Sequence, residues 1–393
     1  MTLLTFIMRI LALLCLVFFI CSCESAQNNA ENLNNSNYKL VITDSIQIDR
    51  MIGYTSIIAT HPVNGNLLMV SSVGVNSNPL VWIISQEGEI IKEFEHLKEG
   101  PTSAGSNLIS ATFFEDGYAI MGVGAIVIYD SDFNVKMRLK IPLNIGGVIY
   151  NHSKHLKVIK KDGRSHFLIA YGPKTEKTII EAEYYDEYNL LTLVDPEKET
   201  FESYGRFHEG STYRSGKAFY FIRTLYEPFE GKTKAIASND TVLYTLDDVG
   251  NELNRINIPF DEYIMFKGYS LGEAGYSEQE EMRDEPGEVL GLLHVREMDV
   301  ISYKSGIPLD RYLDLVGPNE ERYDRAEVNK ANPQKVIILE GGKLVSEVLT
   351  LPEKVVTLGV SDPFGNIWAT QNVAALEEEP DVVTIYKLRI VEE

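Results

Sequence analysis

The sequence predicts an all-β fold: a six-bladed β-propeller closed by pairing of its first and last strands. Three observations predict it. Strand-length apolar runs fill the chain without helical periodicity, a turn-plus-strand signature recurs along it, and both ends read as strands.

From Tyr38 onward the apolar runs are short and rich in β-branched and aromatic residues. Leu67–Ser71, Leu80–Ile84, Tyr118–Gly122, Ala125–Tyr129, Phe167–Tyr171 and Ala218–Ile222 are examples, separated by Gly, Asn, Asp and Pro. A turn followed by a strand recurs at Asn64-Gly65, Asp116-Gly117, Asp162-Gly163, Ser215-Gly216, Pro286-Gly287 and Gly365-Asn366. The glycines are 52, 46, 53, 71 and 78 residues apart. Second hairpins follow several of these turns, at Ile83–Ile90, Ile126–Phe133 and Val242–Gly250. Each unit reads as strand, turn, strand, turn, which is what a propeller blade of about four strands in roughly 40–50 residues requires. Six units fit within Tyr38–Glu393, and the two long spacings imply insertions in the later blades.

Tyr38–Thr43 and Val382–Leu388 are both strand-like. If the first strand completes the blade made by the last ones, no sheet edge is left open. A seven-bladed ring and a pair of β-sandwich domains are the alternatives. No linker in mid-chain separates two sandwiches.

All three cysteines, Cys15, Cys21 and Cys23, fall near the amino terminus. The apolar run Ile10–Ile20 follows Arg9 and is too short to span roughly 30 Å of hydrocarbon as a helix. It reads as a signal-peptide core, with Ile20-Cys21-Ser22-Cys23 as a lipobox. Cys23 is then the lipidated residue, since Ser22 supplies the small side chain needed just before the cut. An uncleaved membrane helix is the alternative. The start codon is Met1 or Met8. The expected organisation is a signal peptide over 1–22, an Asn-rich tether over 23–37 and a propeller over 38–393. A lipidated Cys23 leaves no thiolate, disulfide or Cys metal site in the mature domain.

The formal charge is -21, against nucleic acid, which needs clustered cations. It also opposes electrostatic attraction to anionic lipid, so membrane attachment rests on the acyl chains.

Motifs that could carry chemistry are weak. Gly268-Tyr-Ser270-Leu-Gly272 matches G-x-S-x-G, but the parallel α/β context of a nucleophile elbow is missing. Asp261–Phe266 before it could form a short strand. His152 and His155 lack a third ligand and sit among Lys157, Lys160, Lys161 and Arg164, which repel a cation. The acidic runs Glu278–Glu285 and Glu377–Asp381 lack the alternating spacing of a Ca²⁺ loop. Tyr184, Tyr185, Tyr188, Tyr213, Tyr220, Tyr226 and Phe229 make an aromatic middle suited to packing between blades. Asp116, Asp162 and Asp362 lie near the repeated turns, without a matching set of histidines. No catalytic, metal or cofactor residues are assigned.

The lipobox, the Asn-rich tether, Asp44-Ser45-Ile46, Glu99–Gly105 and Asp362–Trp368 resemble Bacteroidota lipoproteins of the domain of unknown function 4221 family. The resemblance covers nearly the whole mature chain. It implies a six-bladed propeller of the cell envelope, lipid-anchored at the outer membrane on its periplasmic or external face. It supplies no catalytic residues.

Two functions follow as expectations. One is a binding module for a glycan, peptide or envelope protein. The alternative is a hydrolase, lactonase or lyase with an acidic or Ca²⁺ site in the central channel.

Overall fold

The computed structural model describes residues 38–392 apart from 51–53, 73–77, 106, 143–155, 171–176, 178–180, 220–221, 271–283, 318–323 and 377–379. Six antiparallel sheets succeed one another along the chain. The closing strand β1 (Tyr38–Ile48) comes first. Blade I holds β2 (Tyr54–Thr60), β3 (Leu67–Ser72), β4 (Leu80–Ile84) and β5 (Ile90–Glu95). Blade II holds β6 (Leu108–Phe114), β7 (Gly117–Gly122), β8 (Ala125–Tyr129) and β9 (Val135–Lys140). Blade III holds β10 (Leu156–Lys161), β11 (Arg164–Ile169), β12 (Asn189–Asp195) and β13 (Thr200–Arg206). Blade IV holds β14 (Thr224–Phe229), β15 (Lys232–Ala237), β16 (Val242–Leu246) and β17 (Glu252–Asn257). Blade V holds β18 (Glu288–Val295), β19 (Met298–Lys304), β20 (Lys335–Glu340) and the short β21 (Lys343–Leu344) and β22 (Leu349–Thr350). Blade VI is β23 (Val355–Ser361), β24 (Ile367–Gln371), β25 (Val383–Glu392) and, outermost, β1.

The innermost strands β2, β6, β10, β14, β18 and β23 neighbour one another in sequence, and β23 returns to β2. The ring is therefore closed with six blades, which settles the count against seven blades and against two sandwiches.

Each interface between blades has its own apolar core. Strand side chains alternate between the faces of a sheet. Leu68, Val70 and Val81 of blade I therefore join Ala111, Ile120 and Val127 of blade II, while Met69, Trp82 and Ile84 join Val360 and Trp368 of blade VI. The other interfaces repeat this, giving six clusters around the ring. The outermost β17 is mostly exposed, as an edge strand must be.

Four of the six expected turn marks are innermost hairpins. Ser215-Gly216 and Pro286-Gly287 are not: they lie in the connections before β14 and β18. The inner turn of blade IV is Glu230-Gly231, with φ of 44° and 74°, and that of blade V is Arg296-Glu297. Of the expected strand Ala218–Ile222, Ala218 makes an isolated bridge to Tyr269, Phe219 and Ile222 belong to no strand, and 220–221 lie outside the described residues. Those glycines serve loops, so composition alone placed the repeat one connection early.

In such a sheet the first-to-second and third-to-fourth connections leave at one end. The second-to-third connections and those to the next blade leave at the other. The propeller thus has a hairpin end of tight turns and a loop end. The loop end carries the long connections 207–223, 258–287 and 305–334. The last contains α1 (Leu309–Val316) and α2 (Arg325–Ala331), the latter capped by Asp324 Oδ1 accepting from the Ala326 N–H at 2.8 Å.

Candidate functional site

The two ends differ in how their polar groups are satisfied. At the hairpin end one turn recurs. Asp130 Oδ1 accepts the backbone N–H groups of Asp132 and Asn134, and the Asn134 amide donates to the same carboxylate. Asp247 does the same with Val249 and Asn251, and Asp362 with Phe364 and Asn366. Ser85 Oγ takes the N–H groups of Glu87 and Glu89 in blade I. The fourth residue of each turn has positive φ: Gly88, Phe133, Gly250 and Gly365. Phe133 accepts this conformation without being glycine, its ring stacked 4.6 Å from Phe94 and 4.5 Å from Tyr118. These turns are closed units, each the polar cap of its own hairpin.

The loop end is different. Among the described residues, Thr55 Oγ1, Ser71 Oγ, Ser110 Oγ, His96 Nδ1, Arg223 Nε, Thr224 Oγ1, Asp240 Oδ2 and Gln334 Nε2 are buried without a hydrogen-bond partner. All of them lie at this end. Thr55, Ser110 and Thr224 open the innermost strands of blades I, II and IV, and Arg223 immediately precedes β14. A buried polar atom left unpaired costs about 1–3 kcal/mol. Their concentration at one end marks where the chain keeps polar capacity that its own fold does not use.

Asp240 sits in the connection between β15 and β16 and is 3% exposed. Its Oδ1 accepts the N–H groups of Thr241 at 2.7 Å and Val242 at 3.2 Å. Burial pushes the carboxyl up to about 6 against those two bonds. Tyr213, Tyr244 and Tyr263 feel its charge, and burial holds their phenols above the ordinary value. The Tyr244 hydroxyl is 2.7 Å from His208 Nδ1, and Tyr263 donates to the Ser238 carbonyl at 3.2 Å. Tyr184, Tyr185 and Tyr188 are buried beside them, with the Tyr185 hydroxyl donating to the Phe219 carbonyl at 2.6 Å. Tyr184, Tyr185, Tyr188, Tyr213 and Tyr226 of the aromatic middle thus belong to the core between blades III and IV, Phe229 meets His294 of blade V, and Tyr220 lies outside the described residues.

Two ionic groups of low exposure join neighbouring blades. Lys157 on β10 pairs with Glu227 on β14 at 3.0 Å, their side chains 13% and 15% exposed. Between blades IV and V, Asp299 Oδ2 is 2.9 Å from Lys234 Nζ and Asp299 Oδ1 is 2.8 Å from His294 Nδ1. The His294 ring lies 4.2 Å from that of Phe229. Asp299 thus holds the His294 ring through Nδ1.

A pocket of about 80 Å³ opens at the hairpin end of blade III. Its walls include Lys161, Arg164, His166, Asp195, Lys198 and Glu202. Arg164, His166 and Lys198 each approach Asp195 Oδ2 at 3.5–3.6 Å. Burial opposes ionisation of Asp195, but the backbone N–H of Lys198 and the charges of His166 and Arg164 prevail and hold its carboxyl below the usual range. Lys161, Arg164 and Lys198 are matched in number by Asp162, Asp195 and Glu202 in the pocket wall.

The sequence candidates scatter. Asp116 is exposed and pairs with Lys136 at 2.7 Å. Asp162 occupies its own two-residue turn, with φ of 51°. Asp362 is buried, its Oδ2 accepting from Trp368 Nε1 at 3.0 Å. These three do not converge on one centre. Gly268, Tyr269 and Ser270 lie in an irregular connection and Asp261–Phe266 is not a strand, so no elbow forms; Leu271 and Gly272 lie outside the described residues. Cys23, His152, His155, Glu278–Glu281 and Glu377–Glu379 also lie outside them. Among the described residues no group of three or more His, Cys, Asp or Glu is placed to hold a metal ion, and no helix is long and apolar enough to cross a membrane. Sequence reasoning missed Asp240, His294 and Asp299. Asp240 lies 27 and 23 positions from Tyr213 and Tyr263, and Asp299 lies 65 from Lys234, distances no short motif records; His294 and Asp299 are five apart and meet across one hairpin.

No family model matches the chain, and no curated protein is similar to it. Solved structures are. A member of the domain of unknown function 4221 family from Bacteroides vulgatus superposes with a TM-score of 0.68 at 11% identity, covering 91% of this chain and 100% of that one. A putative exported protein from Bacteroides fragilis gives a TM-score of 0.54 at 10% identity, covering 92% and 97%. At such identities the likeness establishes the shared propeller fold.

Proposed function

We propose that this chain is a lipid-anchored binding module of the cell envelope, whose loop end holds a glycan, peptide or protein partner. One observation carries the reading: the unpaired buried polar atoms gather at the loop end, while the hairpin-end turns satisfy themselves. Propellers place variable loops on a rigid ring, which is where binding residues are best displayed. The long connections sit at that same end. Lipidation at Cys23 supplies the membrane attachment, and the exported Bacteroides fragilis protein of the same fold agrees with an envelope location.

The test is a thermal-shift screen of residues 37–393 against glycans and peptides. A ligand at about a hundred times its Kd raises stability by roughly 2.7 kcal/mol. The shift should vanish in Arg223→Ala at the loop end and persist in Asp116→Ala at the hairpin end. A ligand whose shift is lost only in the hairpin-end variant would overturn the assignment. For the anchor, Cys23→Ser should move the protein from the membrane to the soluble fraction.

A second reading has one specific observation behind it. Asp299 holds His294 through Nδ1 on an innermost strand, the carboxylate–histidine pairing that orients a general base. In that reading the propeller is a hydrolase or lyase, and His294→Gln abolishes turnover while ligand binding remains.

A further inference from the structure

Strand polarity fixes where the domain is held. Blade VI has no outer hairpin; the two ends of the chain stand in its place. β24 runs toward the loop end, so β25 starts there at Val383 and finishes at the hairpin end at Glu392. β1 pairs with β25 antiparallel, Tyr38 opposite Glu392 and Ile48 opposite Val383. Tyr38, the first described residue, is therefore at the hairpin end, and any segment that precedes it joins the propeller there.

We propose that the propeller stands on the membrane with its hairpin end inward and its loop end outward. The inference rests on the lipid-anchor reading of Cys23 and adds an orientation to it. Between Cys23 and Tyr38 lie residues 24–37, an Asn-rich stretch with no proline. Read from its composition as a tether, a stretch of about 14 residues has a root-mean-square reach of roughly 20 Å. The eleven residues of β1 span about 36 Å from one end of the blade to the other at roughly 3.3 Å each. To bring the loop end to the bilayer the tether must stretch over that height, which for a Gaussian chain is about a hundredfold less populated than its relaxed state.

Charge keeps the inward end from binding tightly. The innermost turns carry Glu115, Asp116, Asp162, Glu230 and Glu297 against Arg296, a net negative set that an anionic leaflet repels. Val63, 74% exposed, and Phe364, 48% exposed, are the apolar tips among them. The hairpin end thus hovers at the surface on its tether, and the loop end, with its unpaired polar atoms, is the face a partner meets first.

The chain suits a direct test, because no cysteine follows Cys23. Full-length lipoprotein is reconstituted into phosphatidylethanolamine–phosphatidylglycerol vesicles. A donor dye is placed on Val63→Cys at the hairpin end or on Val373→Cys at the loop end, both exposed positions, and an acceptor dye on the lipid. Energy transfer severalfold higher from position 63 supports the orientation. Equal transfer, or transfer higher from position 373, with the protein still floating on the vesicles, overturns the orientation and leaves the anchor intact. Protein that fails to float overturns the anchor reading and the orientation with it.

Discussion

Tyr38 faces Glu392 across the strand pair that closes the ring. The charge of Glu392, then burial and Glu340, raise the Tyr38 phenol above its ordinary value. One register thus decides both the closure of the fold and the end of the propeller from which the chain leaves.

Deletion of 38–48 removes that closing strand. It bares the edge of β25 and takes Ile46 and Ile48 out of the core between blades VI and I, at roughly 1.5–3 kcal/mol each. The expected outcome is loss of a single cooperative transition in a thermal melt followed by circular dichroism. A melt within a degree or two of the full propeller would show that closure contributes nothing.

Asp362 is the buried form of the recurrent turn. Its carboxylate accepts from the backbone of Phe364 and Asn366, from the Asn366 amide and from the Trp368 indole. Asp362→Ala strands those donors inside the protein and should cost about 2–4 kcal/mol in urea unfolding. Asp130→Ala removes the same turn bonds where water replaces them, so its loss should be clearly smaller. Equal losses would mean the Trp368 bond and burial do not matter.

These two turns also show what the sequence made legible. Local signals were readable: Asp-Gly at 162–163, the hairpins at Ile126–Phe133 and Val242–Gly250, and the short apolar runs that became β3 and β4. Closure followed from two strand-like ends. Ser215-Gly216 misled because a glycine turn looks alike in a loop and in a hairpin. The loop-end cluster was not readable at all. Asp240 meets Tyr213 and Tyr263 only after two long connections fold over blade IV, and Asp299 meets Lys234 only across a blade interface. Chain proximity encodes neither meeting.

Asp240 gives the fold a pH dependence with a definite sign. Its folded value of about 6 stands above the ordinary carboxyl value of 3.8, so the folded state holds a proton that the unfolded chain releases between those values. The protonated form stabilises the fold below about pH 4, and that stability is lost as pH rises to about 6, amounting to roughly 3 kcal/mol. His96 and His208 act in the other direction: burial lowers both, so what they contribute is lost as pH falls. The measurement is the difference in Tm between the wild type and Asp240→Asn across pH 4–8. The variant should gain on the wild type as pH rises from 4 to 6 and stay ahead above it. A constant difference would place the Asp240 carboxyl at its ordinary value.

Lys157 and Glu227 test whether their ion pair stabilises the ring or merely completes it. Removing a buried pair's charge on one side leaves the other unpaired, at about 3–5 kcal/mol, while replacing both with apolar groups of similar size is often neutral. Lys157→Met should therefore be destabilising, because Glu227, with its side chain 15% exposed, loses the ammonium group 3.0 Å away. The double variant Lys157→Met, Glu227→Leu should recover most of that loss, since the adjoining cores of blades III and IV are already apolar. Chemical denaturation of the two single variants and the double variant closes the cycle. If the double variant is as unstable as the sum of the singles, the pair has no coupling. The two side chains would then act independently, and the blades would be held by their apolar faces alone.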